Sequence, residues 1–273
     1  NYKLESLNLL TEPAVPEDAE ALVIVSPLED ITETEADRIR EYLDDAGRGF
    51  FMVDFSVRNY PVLNDLLRSY GVEFGNGLVM EGNNNNHAGN NLNLVPEMAN
   101  HDILDPIRSA RLPVLIPYAR PIATIDVRRR TLEFEPLLTT TEDSWVRTNY
   151  DDNSSSRSPE DEAGPSTVAM AVYDRPDEVG QRTTRLVLVG SAQFLGTIFP
   201  FGQIPGNIDF FMNSLTWLQD RTDAISIRPK SLIRFPMRLT SLQALIYSGI
   251  VVLIIPLVIL VSGLVVWLRR RHL

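Results

Sequence analysis

From Leu239 to Leu268 the chain carries no charged side chain, and Arg269, Arg270 and Arg271 then close the run. Its core, Leu245–Leu268 (LIYSGIVVLIIPLVILVSGLVVWL), exceeds the roughly 20 apolar residues that a helix needs to cross about 30 Å of hydrocarbon. A buried helix of a water-soluble core rarely runs so long without a polar face. The pattern therefore predicts one transmembrane helix over 241–268 and a basic tail over 269–273. Pro256 would break a helix in water, but a membrane span tolerates it as a kink. Trp267 stands beside the arginines, where an interfacial aromatic belongs.

The flanking charges do not orient this span by themselves. Arg269, Arg270, Arg271 and His272 favour a cytoplasmic C-terminus, yet Arg228, Lys230, Arg234 and Arg238 flank the other end, so positive-inside counting nearly balances. Residues 225–240 read as a basic juxtamembrane linker, whose cations can meet lipid phosphates or an acidic partner loop at about 1 kcal/mol each. Ser248, Gly249, Ser262 and Gly263 give the span small residues for close helix packing. The chain begins at Asn1, in a stretch (Tyr2–Leu10) with the pattern of a strand. Upstream sequence is thus expected, and an N-terminal signal or second span stays open.

Roughly 235 residues precede the span, enough for a sizeable core. The formal charge of -11 comes largely from Glu12, Glu17, Asp18, Glu20, Glu29, Asp30, Glu33, Glu35 and Asp37, which argues against a nucleic-acid partner. With no cysteine, the chain has no disulfide scaffold, thiolate nucleophile or cysteine-ligated metal.

The part before the span, 1–224, alternates strand and helix. Ala21–Val25 is a continuous apolar run of strand length. Thr32 and Glu35 have the spacing of a capping box, Ala36, Ile39, Tyr42 and Leu43 recur on one face, and Gly47 supplies the stop. Phe50–Val53 is a second buried strand ending at Asp54, and Leu63, Leu66, Leu67 and Tyr70 mark a second helix. This order predicts right-handed crossovers and a parallel sheet covered on both faces. Residues 82–93 (GNNNNHAGNNLN) and 151–165 read as polar, mobile insertions. Short strands are expected at Val114–Ile116, Ile122–Val127 and Leu132–Glu135, with longer ones at Thr167–Tyr173 and Arg185–Val189. A last helix follows, in which Asn207 can cap and Ile208, Phe211, Met212, Leu215 and Leu218 form the apolar stripe.

In such a sheet, reactive groups belong beyond the carboxyl ends of the parallel strands. Those crest positions hold Ser26, Asp54, Ser191 and Gln193. Ser26 as a nucleophile would need a histidine, and His87 and His101 form no recognisable triad with it. The same two histidines lack metal-ligand spacing, so neither a metal nor a catalytic residue is assigned. Asp54 could bind a hydroxyl or a cation, or cap the next turn. Gly75 and Gly77 belong to a turn, not a dinucleotide fingerprint, and no Walker-type Gly-Lys-Ser occurs. No cofactor is implied.

The C-terminal third, RLVLVGSAQFL, then GNIDFFMNSLTWL, then ISIRPKSL and a span closed by basic residues, resembles the GldG-like family, extracytoplasmic accessory subunits of gliding-motility-type ABC transporters. The N-terminal ALVIVSPLEDITETEADRIREYLDDAGRGFFMVD resembles the same family. The joined run of Gly206, Asn207, Asp209, Asn213 and Trp217 with Ile227, Arg228, Pro229 and Lys230 is its most specific part. Family members tend to carry acids after the glycine equivalent to Gly190, where this chain has Ser191 and Gln193; the departure weakens a bound cation or catalytic acid there.

The resemblance implies a flavodoxin-like or amidotransferase-like α/β domain with flanking helices, anchored in a bacterial cytoplasmic membrane. It places the large domain outside and the C-terminal arginines inside. It also implies a non-catalytic role: binding a substrate or partner while a separate multi-span permease and a cytoplasmic ATPase supply transport. Pairing with a copy of itself or with a related subunit is left open. The alternative is a stand-alone membrane-tethered module that binds glycans or peptides.

Overall fold

The computed structural model describes residues 3–56, 58–126, 131–151, 154–174, 183–196, 204–220, 248–249, 252–253 and 255–271. Residues Asn1–Ile227 form one compact unit and Arg228–Leu273 a second. In the first unit the strands are β1 (Leu22–Val25), β2 (Arg48–Met52), β3 (Val72–Phe74), β4 (Leu78–Met80), β5 (Asn93–Leu94), β6 (Glu97–Met98) and β7 (Ile116–Pro117). They continue with β8 (Ile122–Thr124), β9 (Leu132–Thr139), β10 (Trp145–Arg147), β11 (Glu162–Ala163), β12 (Thr167–Asp174) and β13 (Arg185–Val189). The helices are α1 (Glu33–Asp44), α2 (Pro61–Arg68), α3 (Asp105–Ser109) and α4 (Pro205–Leu218).

A six-stranded sheet in the order β1-β2-β13-β12-β9-β6 organises the unit. The expected all-parallel sheet holds for half of it. β1, β2 and β13 run parallel, whereas β12, β9 and β6 each pair antiparallel with their neighbour. The fold is mixed α/β with helices on both faces. Alternate residues of the central strands divide the core. Phe50, Met52, Ala169, Ala171, Val187 and Val189 meet Phe210, Leu215 and Trp217 of α4 and Ile107 of α3. Phe51, Val53, Met170, Val172, Leu186 and Leu188 meet Ile39 and Leu43 of α1 and Leu63, Leu66 and Leu67 of α2. Phe50 and Phe51 are both fully buried on opposite faces, each contributing about 1.5–3 kcal/mol.

Local signals explain the helices. The capping box of α1 closes, with Glu35 N–H donating to Thr32 Oγ1 at 3.3 Å and Thr32 N–H to Glu35 Oε2 at 2.8 Å. α2 starts at Pro61, and its next two amides, Val62 and Leu63, donate to Asp30 at 2.7 and 3.1 Å. Asp30 is thus a cap supplied from outside the helix. Two expectations for α4 are corrected. Asn207 is not its cap; the side chain is buried and tied to Leu115 N–H at 2.8 Å, Leu115 C=O at 2.9 Å and Phe194 C=O at 2.8 Å. Ile208 and Met212 lie on the exposed side, because the sheet takes Phe210, Leu215, Trp217 and Leu218 instead.

The expected strand at Tyr2–Leu10 is absent over its described residues, Lys3–Leu10. Leu9 and Val15 instead bury against the α1 face, and Arg38 donates to the carbonyls of Leu9 and Glu12. Residues 82–93 turn through asparagine side chains, with Asn86 reaching Val95 C=O, Asn93 reaching Ala88 C=O and Asn91 reaching Ser155 C=O. Beside them, the buried Arg147 pairs with Asp161 at 3.0 Å and gathers Ser156 C=O at 2.7 Å.

The described part of the second unit includes α5 (Ile255–Arg271), with Trp267 55% exposed and Arg271 Cζ 5.4 Å from its ring centroid. Much of the apolar run, and Arg228, Lys230, Arg234 and Arg238 with it, lies outside the described residues. Among the described residues, no helix is long and apolar enough to cross a membrane. The side chains of Arg269 and Arg270 are likewise outside the description.

Candidate functional site

The three parallel strands end together. Past them, Ser26 N–H donates to Met52 C=O at 2.7 Å and Val53 N–H to Val189 C=O at 3.1 Å, so the chain stays zipped up to Asp54. Asp54 Oδ1 then accepts from Ala192 N–H at 2.6 Å, Gln193 N–H at 3.2 Å and Ser191 Oγ at 3.4 Å. A carboxylate over the first amides of the 3-10 turn Gln193–Leu195 is a cap, stabilised by the partial positive charge of those N–H groups. Three of the four crest residues read from the sequence, Asp54, Ser191 and Gln193, are therefore brought together. The turn that Asp54 caps lies 137 residues further along the chain.

Ser26 stands at the end of the neighbouring strand with φ +38, a left-handed backbone uncommon outside glycine. Its turn is held by Tyr60 Oη donating to Pro27 C=O at 2.9 Å and Arg58 Nη1 to Leu28 C=O at 3.1 Å. Close by, Arg120 N–H donates to Gly190 C=O at 2.7 Å, and a Cβ at position 190 would sit 2.1 Å from Arg120 O. Only glycine fits there. The Arg120 side chain is 1% exposed, donating to Gly75 C=O at 3.0 Å and Asn76 Oδ1 at 3.1 Å, with Cζ 5.6 Å from the Tyr60 ring centroid. Burial lowers its pKa, against the opposing pull of Tyr60 and Tyr150.

A cavity of about 300 Å³ opens at the other end of the sheet, lined by His101, Asp102, Glu135, Tyr173, Arg185 and Trp217. Strand alternation explains its polar wall: Glu133 and Glu135 of β9, Tyr173 of β12 and Arg185 of β13 occupy the same face, where the apolar core runs out. His101 Nδ1 accepts Ile103 N–H at 3.1 Å, which leaves the proton of the neutral ring on Nε2, 3.0 Å from Glu135. Tyr173 Oη lies 2.5 Å from Glu133 and 3.1 Å from Glu135, so one phenol proton serves two carboxylates. Burial lowers the His101 pKa, while Glu135, Asp102 and Asp105 pull it up. Burial also raises that of Tyr173, with Glu135 adding to the effect. Trp217 is the aromatic floor, its ring 5.4 Å from His101 and 5.0 Å from Arg185 Cζ.

No motif marks this basal cluster, and His101 lies in the loop before α3. It is buried and paired with Glu135, whereas His87 Nε2 meets Asn84 Oδ1 at 3.2 Å. The alternation of Glu133 and Glu135 with Leu132 and Phe134 was the available signal. Among the described residues, no three His, Asp or Glu side chains stand together in an arrangement that could hold a metal ion.

No curated protein sequence matches the chain. The solved mmIFT52 N-terminal domain superposes with a TM-score of 0.52 at 14% identity, covering 80% of this chain and 81% of that one, a likeness of fold. A ThuA-like protein from Bacteroides uniformis ATCC 8492 aligns more loosely, with a TM-score of 0.35 at 14% identity over 74% of this chain and 70% of that one. Residues 1–214 match the family model ABC_transp_aux, described as an ABC-type uncharacterized transport system, and the chain therefore belongs to this family of ABC transport auxiliary components.

Proposed function

We propose that the protein is a non-catalytic, membrane-anchored accessory subunit of an ABC transporter, of the GldG-like kind. Its α/β domain, flavodoxin-like in its parallel half, recognises a partner protein or substrate outside the cytoplasmic membrane. A separate multi-span permease and an ATPase supply transport. The observation that carries this reading is the family match over residues 1–214. The uncharged run Leu239–Leu268 and its closing arginines supply the anchor, with Trp267 at the interface and the tail in the cytoplasm. The basic residues Arg228, Lys230, Arg234 and Arg238 lie against lipid phosphates or an acidic loop of the permease. At the crest, Asp54 is engaged by backbone amides, so the role given to Asp54, Ser191 and Gln193 is to hold the turn Gln193–Leu195 together, not to perform chemistry.

Affinity isolation of the full chain from detergent-solubilised membranes tests this directly. A multi-span permease and an ATPase should co-elute in fixed ratio, and the chain should resist carbonate extraction. A chain that extracts freely, or elutes without an ATPase, removes the proposal.

A further inference from the structure

The two edges of the central sheet differ. β6 is a two-residue strand, short enough to offer little to a neighbour. β1 has four residues and, among the described residues, no strand beyond it. The Ser26 N–H bond to Met52 C=O sets the phase of the parallel ladder: Leu22 and Ile24 turn their N–H and C=O groups toward β2, and Val23 and Val25 turn theirs outward. Among the described residues, no backbone group pairs with the amides of Val23 and Val25. Val25 is 57% exposed and Leu28 87%, whereas Phe50, Phe51 and Met52 on the adjoining strand are buried. The strand carries no lysine, proline or bulge of the kind that protects edges.

Charge says what fits. Between Lys3 and Arg38 the chain has ten carboxylates and no lysine or arginine. Glu17, Asp18 and Glu20 lie just before β1 and Glu29 just after it, all exposed. A second copy pairing antiparallel through β1 would set Glu17, Asp18 and Glu20 of one chain against Glu29 of the other, a repulsive arrangement. A segment rich in lysine or arginine meets opposite charge at both ends.

We infer that the β1 edge docks an extended, basic segment of a partner protein as an added strand, bound through the outward main-chain groups of Val23 and Val25. Val25 and Leu28 supply apolar contact, and the flanking carboxylates supply selection for basic residues. This rests on the partner-binding reading above and names the chemistry of that partner.

The test is fluorescence anisotropy on the full chain in detergent, with a labelled short synthetic peptide in which lysine alternates with valine. Binding should weaken as salt rises. Val25→Pro removes one outward N–H while leaving the β1–β2 ladder intact, since proline is tolerated on edge strands; affinity should fall roughly tenfold. Val25→Lys, a change at an exposed position, places like charge against the peptide and should have a similar effect. The combined Glu17→Gln and Glu29→Gln change should flatten the salt dependence. Unfolding midpoints close to wild type establish that each variant is folded. Absence of peptide binding, salt-insensitive binding, or wild-type affinity in both Val25 variants overturns the inference. So does self-association, read by sedimentation, that Val25→Pro abolishes, because a second copy would then be the occupant. If the peptide fails while permease and ATPase still co-elute, the edge assignment falls alone; if co-elution fails, the accessory reading falls.

Discussion

The crest and the base of the central sheet use the same kinds of side chain and end in opposite states. At the crest one carboxylate, Asp54, meets two amides and a hydroxyl, so donors outnumber acceptors and the group closes on itself. At the base Glu133 and Glu135 share the single proton of Tyr173, His101 offers one more, and a cavity of about 300 Å³ stays open beside them. The ratio of donors to acceptors separates a cap from a responsive site better than residue type does. Changes at the crest should act on stability through lost hydrogen bonds, and changes at the base should act through protonation of His101.

The largest effect is expected from Asn207→Ala, which strands the N–H and C=O of Leu115 and the C=O of Phe194 in the core below the crest. Urea denaturation should show a loss of about 3 kcal/mol. A loss below about 1 kcal/mol would mean the crest is looser than described. Asp54→Asn comes next: the weaker, uncharged acceptor should cost about 2 kcal/mol by the same measurement. A neutral result would mean that the carboxylate is held for something other than the turn.

At the base the effect is smaller and depends on pH. The folded state lowers the His101 pKa below its ordinary value of 6.5 through burial, so the unfolded chain binds that proton more tightly. The stabilisation is full above about pH 6.5 and is lost as pH falls toward the folded pKa. His101→Gln should flatten the stability-versus-pH curve in that window and leave the curve above it parallel to wild type. Smallest of all, Glu135→Gln removes the nearest carboxylate and should move the imidazole titration, followed by NMR, further down. An upward movement would contradict the assigned geometry.

How much was legible in the sequence follows the same division between local and distant causes. The capping box at Thr32 and Glu35, the buried strand at Phe50 and the RLVLV strand at Arg185 are written in neighbouring residues, and all three appear. The crest was legible as well, because strand ends mark it: Asp54, Ser191 and Gln193 meet as their positions imply. Strand direction was not, since nothing within β12 or β9 records which strand lies beside it. Nor was the orientation of α4, where Phe210 and Trp217 outcompete Ile208 and Met212 for the sheet and Asn207 is drawn away from capping by Leu115. The basal cluster draws on residues from 101 to 217, with only the Glu133, Glu135 alternation as a local trace. Asp30 capped a helix thirty-two residues away, beyond any motif window.

The central proposal is that this chain contributes recognition and not chemistry. Transport-coupled ATP hydrolysis in proteoliposomes, with permease, ATPase and this chain, tests it through a crest variant combining Ser26→Gly, Asp54→Asn and Ser191→Ala. Glycine at 26 suits the +38 φ, so the hydroxyl is removed without added strain. Once the variant is shown to be folded, the account predicts turnover close to wild type and well above that of the system lacking the chain; a folded variant with turnover no higher than that of the incomplete system would contradict it.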